Sequence, residues 1–250
     1  MAGYQSAVPA RRKKRMSGMT WIFLAVVIFF VAGGIVTQVV RQVGRGINRG
    51  IAQQVASRSF AGVNSFDDAE GGVTFSAIEA PGSPADKAGL VGGDIITTFD
   101  GQTVTDDGEM MALLRRTPIG KTVDVVYIRD GETKTTKLTT ISEGELSQLG
   151  RLFANRPEGR GRLGIDDQET VEIPGTKLHG VRLGTVSASL PGDMAGLKPG
   201  DIVLEFDKIP IRTDGELNYR IQAAIPYKTI DLVIMRGSER MVIPVKMGRR

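Results

Sequence analysis

The chain has 250 residues, 41% of them hydrophobic, with no cysteine and a net charge of +4. That length buries one or two small cores, and without cysteine both disulfides and thiolate catalysis are excluded. The positive charge does not mark a nucleic-acid binder: Arg11, Arg12, Lys13, Lys14, Arg15, Arg41, Arg45, Arg49 and Arg58 precede the first acid, Asp67, and removing these nine leaves 23 basic against 28 acidic residues. A mildly acidic body repels phosphate, so no nucleic acid is expected as a partner, and the basic residues 1–15 read as a cytoplasmic tail.

From Met16 to Val40 no residue is charged, and Trp21 to Val36 is almost wholly apolar. At about 1.5 Å per residue the stretch reaches roughly 37 Å, enough to cross a hydrocarbon core of about 30 Å. Residues 16–40 are therefore expected to form an N-terminal transmembrane signal-anchor helix. The basic run before it should stay in the cytoplasm and leave the rest of the chain facing the periplasm or exterior. A cleaved signal peptide ending near Val31-Ala32-Gly33 is the rival reading, against which Ile35, Val36, Val39 and Val40 prolong the apolar run. Residues 41–58, broken by Gly44, Gly46 and Gly50, read as a linker.

Beyond it the chain repeats itself. Ala88-Gly89-Leu90, Gly93-Asp94-Ile95, Phe99-Asp100, Asp107-Gly108-Glu109, Asp124 and Arg129 recur 107 positions later as Ala195-Gly196-Leu197, Gly200-Asp201-Ile202, Phe206-Asp207, Asp214-Gly215-Glu216, Asp231 and Arg236. So long a period means duplicated domains and not a solenoid. In each copy Val73 to Ala80 and Val181 to Ala188 read as strands, as do Ile95 to Phe99 and Ile202 to Phe206. Val123, Val125 and Tyr127, like Ile230, Leu232 and Ile234, alternate with their neighbours and predict a strand with one face in a core. Met110, Leu113 and Leu114 fall at helical spacing, as do Leu217, Ile221 and Ile225. Between the copies, Ser142 and Glu145 fit a capping box ahead of Leu146, Leu149, Leu152 and Phe153, a linker helix in residues 141–159. The predicted class is mixed α+β, each unit a small, partly open β-barrel capped by helices.

Ser83-Pro84-Ala85-Asp86-Lys87-Ala88-Gly89-Leu90-Val91-Gly92-Gly93-Asp94-Ile95-Ile96, followed by Asp100-Gly101 and a helix, closely resembles the PDZ domains of bacterial HtrA-type envelope serine proteases. Pro191-Gly192-Asp193-Met194-Ala195-Gly196-Leu197-Lys198-Pro199-Gly200-Asp201-Ile202-Val203 resembles them as well, which gives tandem PDZ-like domains over 59–140 and 160–248. The resemblance implies a glycine-flanked loop whose backbone N–H groups receive a peptide's C-terminal carboxylate while the peptide adds a strand to the neighbouring edge. In the second copy that loop would be Arg160, Gly161, Arg162, Leu163, Gly164 and Ile165, with Asn218 and Ile221 on the facing helix Thr213 to Ala224. In the first copy it would be Phe60, Ala61, Gly62 and Val63, with Met111 and Leu114 opposite. That loop departs from the pattern, with Ala61 where a larger apolar residue is usual and Ser59 in place of a glycine, so its peptide binding is the weaker expectation. Methionine at this spacing is also plain core filling.

No catalytic residue, metal site or cofactor is expected. Asp94 and Asp201 sit in Gly-Asp turns, where aspartate bonds nearby N–H groups; Asp67-Asp68 and Asp166-Asp167 read as solvated edge residues; His179 is the sole histidine. An HtrA-type protease carries its Ser, His and Asp on a further domain, for which the linker 41–58 leaves no room, and neither an HExxH nor a P-loop pattern occurs. The leading functional expectation is a membrane-anchored, outward-facing scaffold or adaptor in the bacterial inner membrane that captures C-termini or extended segments of envelope proteins. Two rivals stand: a structural component of a secretion or assembly complex, and a regulatory partner that delivers substrates to a separate HtrA-type envelope protease.

Overall fold

Alternating apolar residues in long strands, separated by glycine-bearing turns, give each copy an antiparallel meander with one buried face. The computed structural model describes residues 58–250, within one compact unit, Val55–Arg250. The anchor expected at 16–40 lies outside the described residues, as does nearly all of the linker 41–58, and among the described residues no helix is long and apolar enough to cross a membrane.

The first copy runs β1 (Ser59–Phe60), β2 (Asp67–Ala69), β3 (Gly72–Thr74), α1 (Pro84–Lys87), β4 (Ile95–Phe99), β5 (Gln102–Thr103), α2 (Asp107–Arg116), β6 (Thr122–Arg129), β7 (Glu132–Thr139) and β8 (Ile141–Ser142). After α3 (Glu143–Ala154), the second copy runs β9 (Gly161–Arg162), β10 (Ile165–Asp166), β11 (Glu169–Glu172), β12 (His179–Arg182), β13 (Thr185–Val186), α4 (Pro191–Met194), β14 (Ile202–Phe206), β15 (Ile209–Pro210), α5 (Asp214–Ala223), β16 (Thr229–Arg236), β17 (Glu239–Lys246) and β18 (Gly248–Arg249). The main sheets are ordered β2-β3-β4-β6-β7 and β11-β12-β14-β16-β17, with β5 beside β4 and β15 beside β14. Even the bulge repeats, between Ile96 and Thr98 in one copy and between Val203 and Glu205 in the other. The described region is thus mostly β with few helices.

The alternation on β6 and β16 is met: Val123, Val125 and Tyr127 are buried in one core, Ile230, Leu232 and Ile234 in the other. The expected strands Val73 to Ala80 and Val181 to Ala188 are broken in two. Val73 pairs with Ile96 in the main sheet while Ile78 makes an isolated bridge to Val63 outside it; likewise Val181 pairs with Val203 in the main sheet and Val186 with Ile165 in a separate two-stranded one. One segment serves two sheets, and the chain must turn between them. On α3 the capping box forms, Ser142 and Glu145 exchanging hydrogen bonds, but Leu152 is 61% exposed and only Leu146 is buried. Ile225, expected on the face of α5, lies beyond its end and is 55% exposed.

The Gly-Asp turns bond as expected, and each also takes an arginine from the far end of the long hairpin. Asp94 accepts the Val91 N–H at 2.9 Å and a bidentate pair from Arg129 at 2.6 and 2.5 Å. Asp201 does the same with Lys198 N–H and Arg236.

The two copies also meet through α5. Thr213, its N-cap, donates its hydroxyl to Ser76 O at 2.5 Å, and Glu216 accepts the Gly92 N–H at 3.0 Å. Arg212 pairs with Asp130 at 2.6 and 2.7 Å, and Tyr219 is buried in the first copy's core cluster.

Candidate functional site

Each copy leaves a groove between a short edge strand and its long helix. In the second copy Gly161 opens the loop: a Cβ there would lie 2.2 Å from Ile221 O, so only glycine lets the strand approach α5 this closely. Gly164 has φ +84°, and a Cβ on it would lie 2.4 Å from Leu190 Cβ. Between them Leu163 O accepts the Gly192 N–H at 2.7 Å and Gly164 O accepts the Ser187 N–H at 2.9 Å. Because pairing alternates along an antiparallel ladder, the bond at Gly164 leaves Ile165 with its N–H and C=O turned toward α5. Among the described residues the N–H groups of Leu163 and Gly164 have no hydrogen-bond acceptor.

The result is a cavity of about 400 Å³ lined by residues from the loop, β10, α5 and the chain's last segment. Gly161, Arg162, Leu163, Gly164, Ile165, Asn218 and Ile221 all border it, with Leu163, Ile165 and Ile221 buried in the core as well. Arg160 stands outside the lining and donates to Gln222 Oε1 at 3.0 Å, which ties the loop to the helix. Sequence reasoning missed Gln168, Leu190, Gln222 and Arg250. Gln168 donates to Ile165 O at 3.1 Å, the carbonyl an added strand would use; Arg250 reaches the groove because its N–H donates to Arg160 O at 2.8 Å after β18 has paired with β9. Only Gln222, beside Ile221 on the helix, carried a readable signal.

The first copy builds the same device with different residues. Gly62 has φ +81° and its carbonyl accepts the Glu79 N–H at 3.0 Å, while Ala61 O accepts the Ala85 N–H at 2.8 Å. Val63 bridges Ile78, so its own N–H and C=O face α2. Ser59 stands where the second copy has Gly161, and its hydroxyl donates to Leu114 O at 2.7 Å. Leu114 matches Ile221, so a hydrogen bond replaces the close approach that glycine permits. Phe60, Ala61, Gly62, Val63, Met111 and Leu114 all border a cavity of about 350 Å³, joined by Phe66, Glu79 and Asp107. Partial desolvation raises the pKa of Glu79, although the residue stays largely exposed. The guanidinium of Arg58 lies 5.3 Å from the Phe60 ring centroid.

Among the described residues no group of His, Cys, Asp and Glu is placed to hold a metal ion. The model of the PDZ domain family matches residues 62–140 and 161–247, two thirds of the sequence and both grooves. The chain belongs to the PDZ domain family.

Both PDZ copies fall in the region shared with curated relatives. A probable periplasmic serine protease do/HhoA-like from Haemophilus influenzae is 27% identical over 66% of this chain and 34% of its own length. The periplasmic serine endoprotease DegP of Salmonella typhimurium is 28% identical over 70% of this chain and 34% of its own. The chain thus spans about a third of the length of these relatives, on their PDZ-bearing part. Among solved structures, the HtrA3 PDZ domain bound to a phage-derived ligand is similar, at 21% identity and a TM-score of 0.29, covering 36% of this chain and 89% of that one. The family match and the two curated relatives bear out the expectation of tandem HtrA-like PDZ domains.

Proposed function

We propose that this chain is a non-catalytic, membrane-anchored scaffold or adaptor that captures C-termini or extended segments of envelope proteins in its PDZ grooves. The observation that carries the reading is the edge at Ile165. Its N–H and C=O are turned toward α5 beside the N–H groups of Leu163 and Gly164, in a cavity large enough for an extended chain. An arriving strand gains main-chain hydrogen bonds, and its carboxylate exchanges water for oriented donors. Gln168 would yield Ile165 O to the peptide. The periplasmic location of the relatives supports an outward-facing pair, and the apolar run 16–40 supports the anchor.

Because those relatives are serine endoproteases, a narrower version is supported too: captured segments pass to a separate envelope protease. Peptides displayed with free C-termini against the chain should yield binders of micromolar affinity, about −8 kcal/mol. Gly164→Asp, which forces a side chain into φ +84° against Leu190, should weaken the second groove at least tenfold, about 1.4 kcal/mol. No enrichment of any peptide by the parent chain would sink the reading, as would enrichment that Gly164→Asp leaves unchanged together with a variant of the first loop, Gly62→Asp, with both variants folded by circular dichroism.

A further inference from the structure

The two grooves share a backbone plan and differ in the side chains at matched positions. Phe60 stands where Arg162 does, Met111 where Asn218 does, and Glu79, donor to Gly62 O, where Ser187 is donor to Gly164 O. The far ends differ in charge. In the first copy the Asp107 N–H donates to the Asp68 carboxylate at 2.8 Å, two acids side by side; in the second the Asp214 N–H donates to the Thr170 hydroxyl at 3.0 Å. The first groove therefore has an apolar end at Phe60, Met111 and Leu114, with Arg58 and Glu79 beside the loop, and an acidic far end at Asp107, backed by Asp68 just outside the lining. The second groove lacks this acidic lining: beside Gln168, Asn218 and Gln222 it sets Asp166 against two arginines, Arg162 and Arg250, and Asp214, the match of Asp107, lies outside the lining with its carboxylate on the Thr170 hydroxyl.

On α2, Leu114 and Asp107 are two turns apart, about 11 Å, a distance that about three residues of an extended peptide span. Resting on the reading of the grooves as peptide sites, we infer that the first groove selects chain termini that end in an apolar side chain and carry lysine or arginine about three residues earlier, and that the second groove does not share this preference. The apolar terminus fills the space beside Leu114 and Met111 while the cation lies against Asp107, with Glu79 adding to the negative field from beside the loop. The carboxylates are open to water, so each contributes little by itself and the preference comes from their sum.

The test uses the full chain in detergent and two fluorescein-labelled hexapeptides ending in leucine, alike except for lysine or glutamate at the third residue before the last. With the second groove blocked by Gly164→Asp, the lysine peptide should bind roughly five- to tenfold more tightly, and the ratio should shrink as salt is raised. Adding Glu79→Gln and Asp107→Asn should bring the two peptides to within about twofold. With the first groove blocked instead by Gly62→Asp, the lysine peptide should have no advantage. Equal affinities at the first groove, or a ratio that survives Glu79→Gln with Asp107→Asn, would overturn the inference while leaving peptide capture standing. Failure of both hexapeptides at the first groove would overturn it too. Only the further failure of every displayed peptide at either groove would remove the function itself.

Discussion

Asp94 has its side chain wholly out of water, and Arg129, its bidentate partner, is 14% exposed. Burial raises the Asp94 pKa, and the Arg129 guanidinium and the Val91 N–H pull against that rise. Removing the charge leaves a guanidinium with no counterpart in a largely dry place, so Asp94→Asn should cost about 3 kcal/mol. The matched pair in the second copy is wetter, with Arg236 31% exposed, and Asp201→Asn should cost about half as much. Urea unfolding of the two variants checks the ranking, and equal losses would contradict it. Sequence alone shows Asp94, Arg129, Asp201 and Arg236 recurring, and shows the aspartates in Gly-Asp turns. It does not show that they pair, because 35 residues separate the partners and only the antiparallel pairing of β4 with β6, Ile95 against Ile128, sets them opposite each other.

At the scale of one element, α5 works on three sides. Leu217 is buried in the second core, Asn218 and Gln222 face the groove, and Glu216 and Tyr219 face the first copy. Helical spacing finds the element but carries its face on to Ile225, past the C-cap Ala224; Thr213 is the N-cap. It cannot divide the faces, since a helix with every side occupied has no single apolar stripe. Arg156 holds the far end, donating to Gln222 O and Ala223 O at 2.8 Å and to Ala224 O at 2.6 Å.

Glu216 tests this junction through pH. Its side chain is fully buried, and burial lifts its pKa above the ordinary 4.5 despite Arg220 and the Gly92 N–H. The native chain therefore keeps a proton that the unfolded chain has lost. Glu216 contributes its full stability below pH 4.5, and that contribution fades as pH rises through the folded value. Asp94 and Glu79 are raised in the same sense, whereas Asp130, lowered by its hydrogen bond from Arg212, titrates beneath this window. Glu216→Gln should thus gain on the parent as pH rises from about 4.5 to 7.5. A difference between the two chains that stays constant across that range in urea titrations would refute the assignment.

For the whole described region, the long-period repeat made the duplicated fold legible, because turn glycines and alternating strands recur in register. The groove positions were legible only through likeness to a known family: short edge strands of two residues carry no periodicity. The packing of the copies on each other was not legible at all. It depends on Arg212, Thr213 and Tyr219 meeting Asp130, Ser76 and Asp86 across more than eighty residues of sequence.

That junction bears on function, since two grooves held in a fixed relation can engage one flexible partner twice with a gain set by effective concentration, provided the partner spans them. The pair Arg212 and Asp130 is the charged part of the junction, only 15% and 29% exposed and bidentate. Arg212→Asp and Asp130→Arg should each loosen the junction, and the double reversal should recover about 1 kcal/mol of coupling. Thermal unfolding gives the coupling, and NMR relaxation gives the independence of tumbling: each single variant should show two copies that reorient separately, the double variant one body. If the single variants tumble as the parent does, the buried Tyr219 and the Glu216 contact hold the copies together without the ion pair, and the charge pair only decorates their junction.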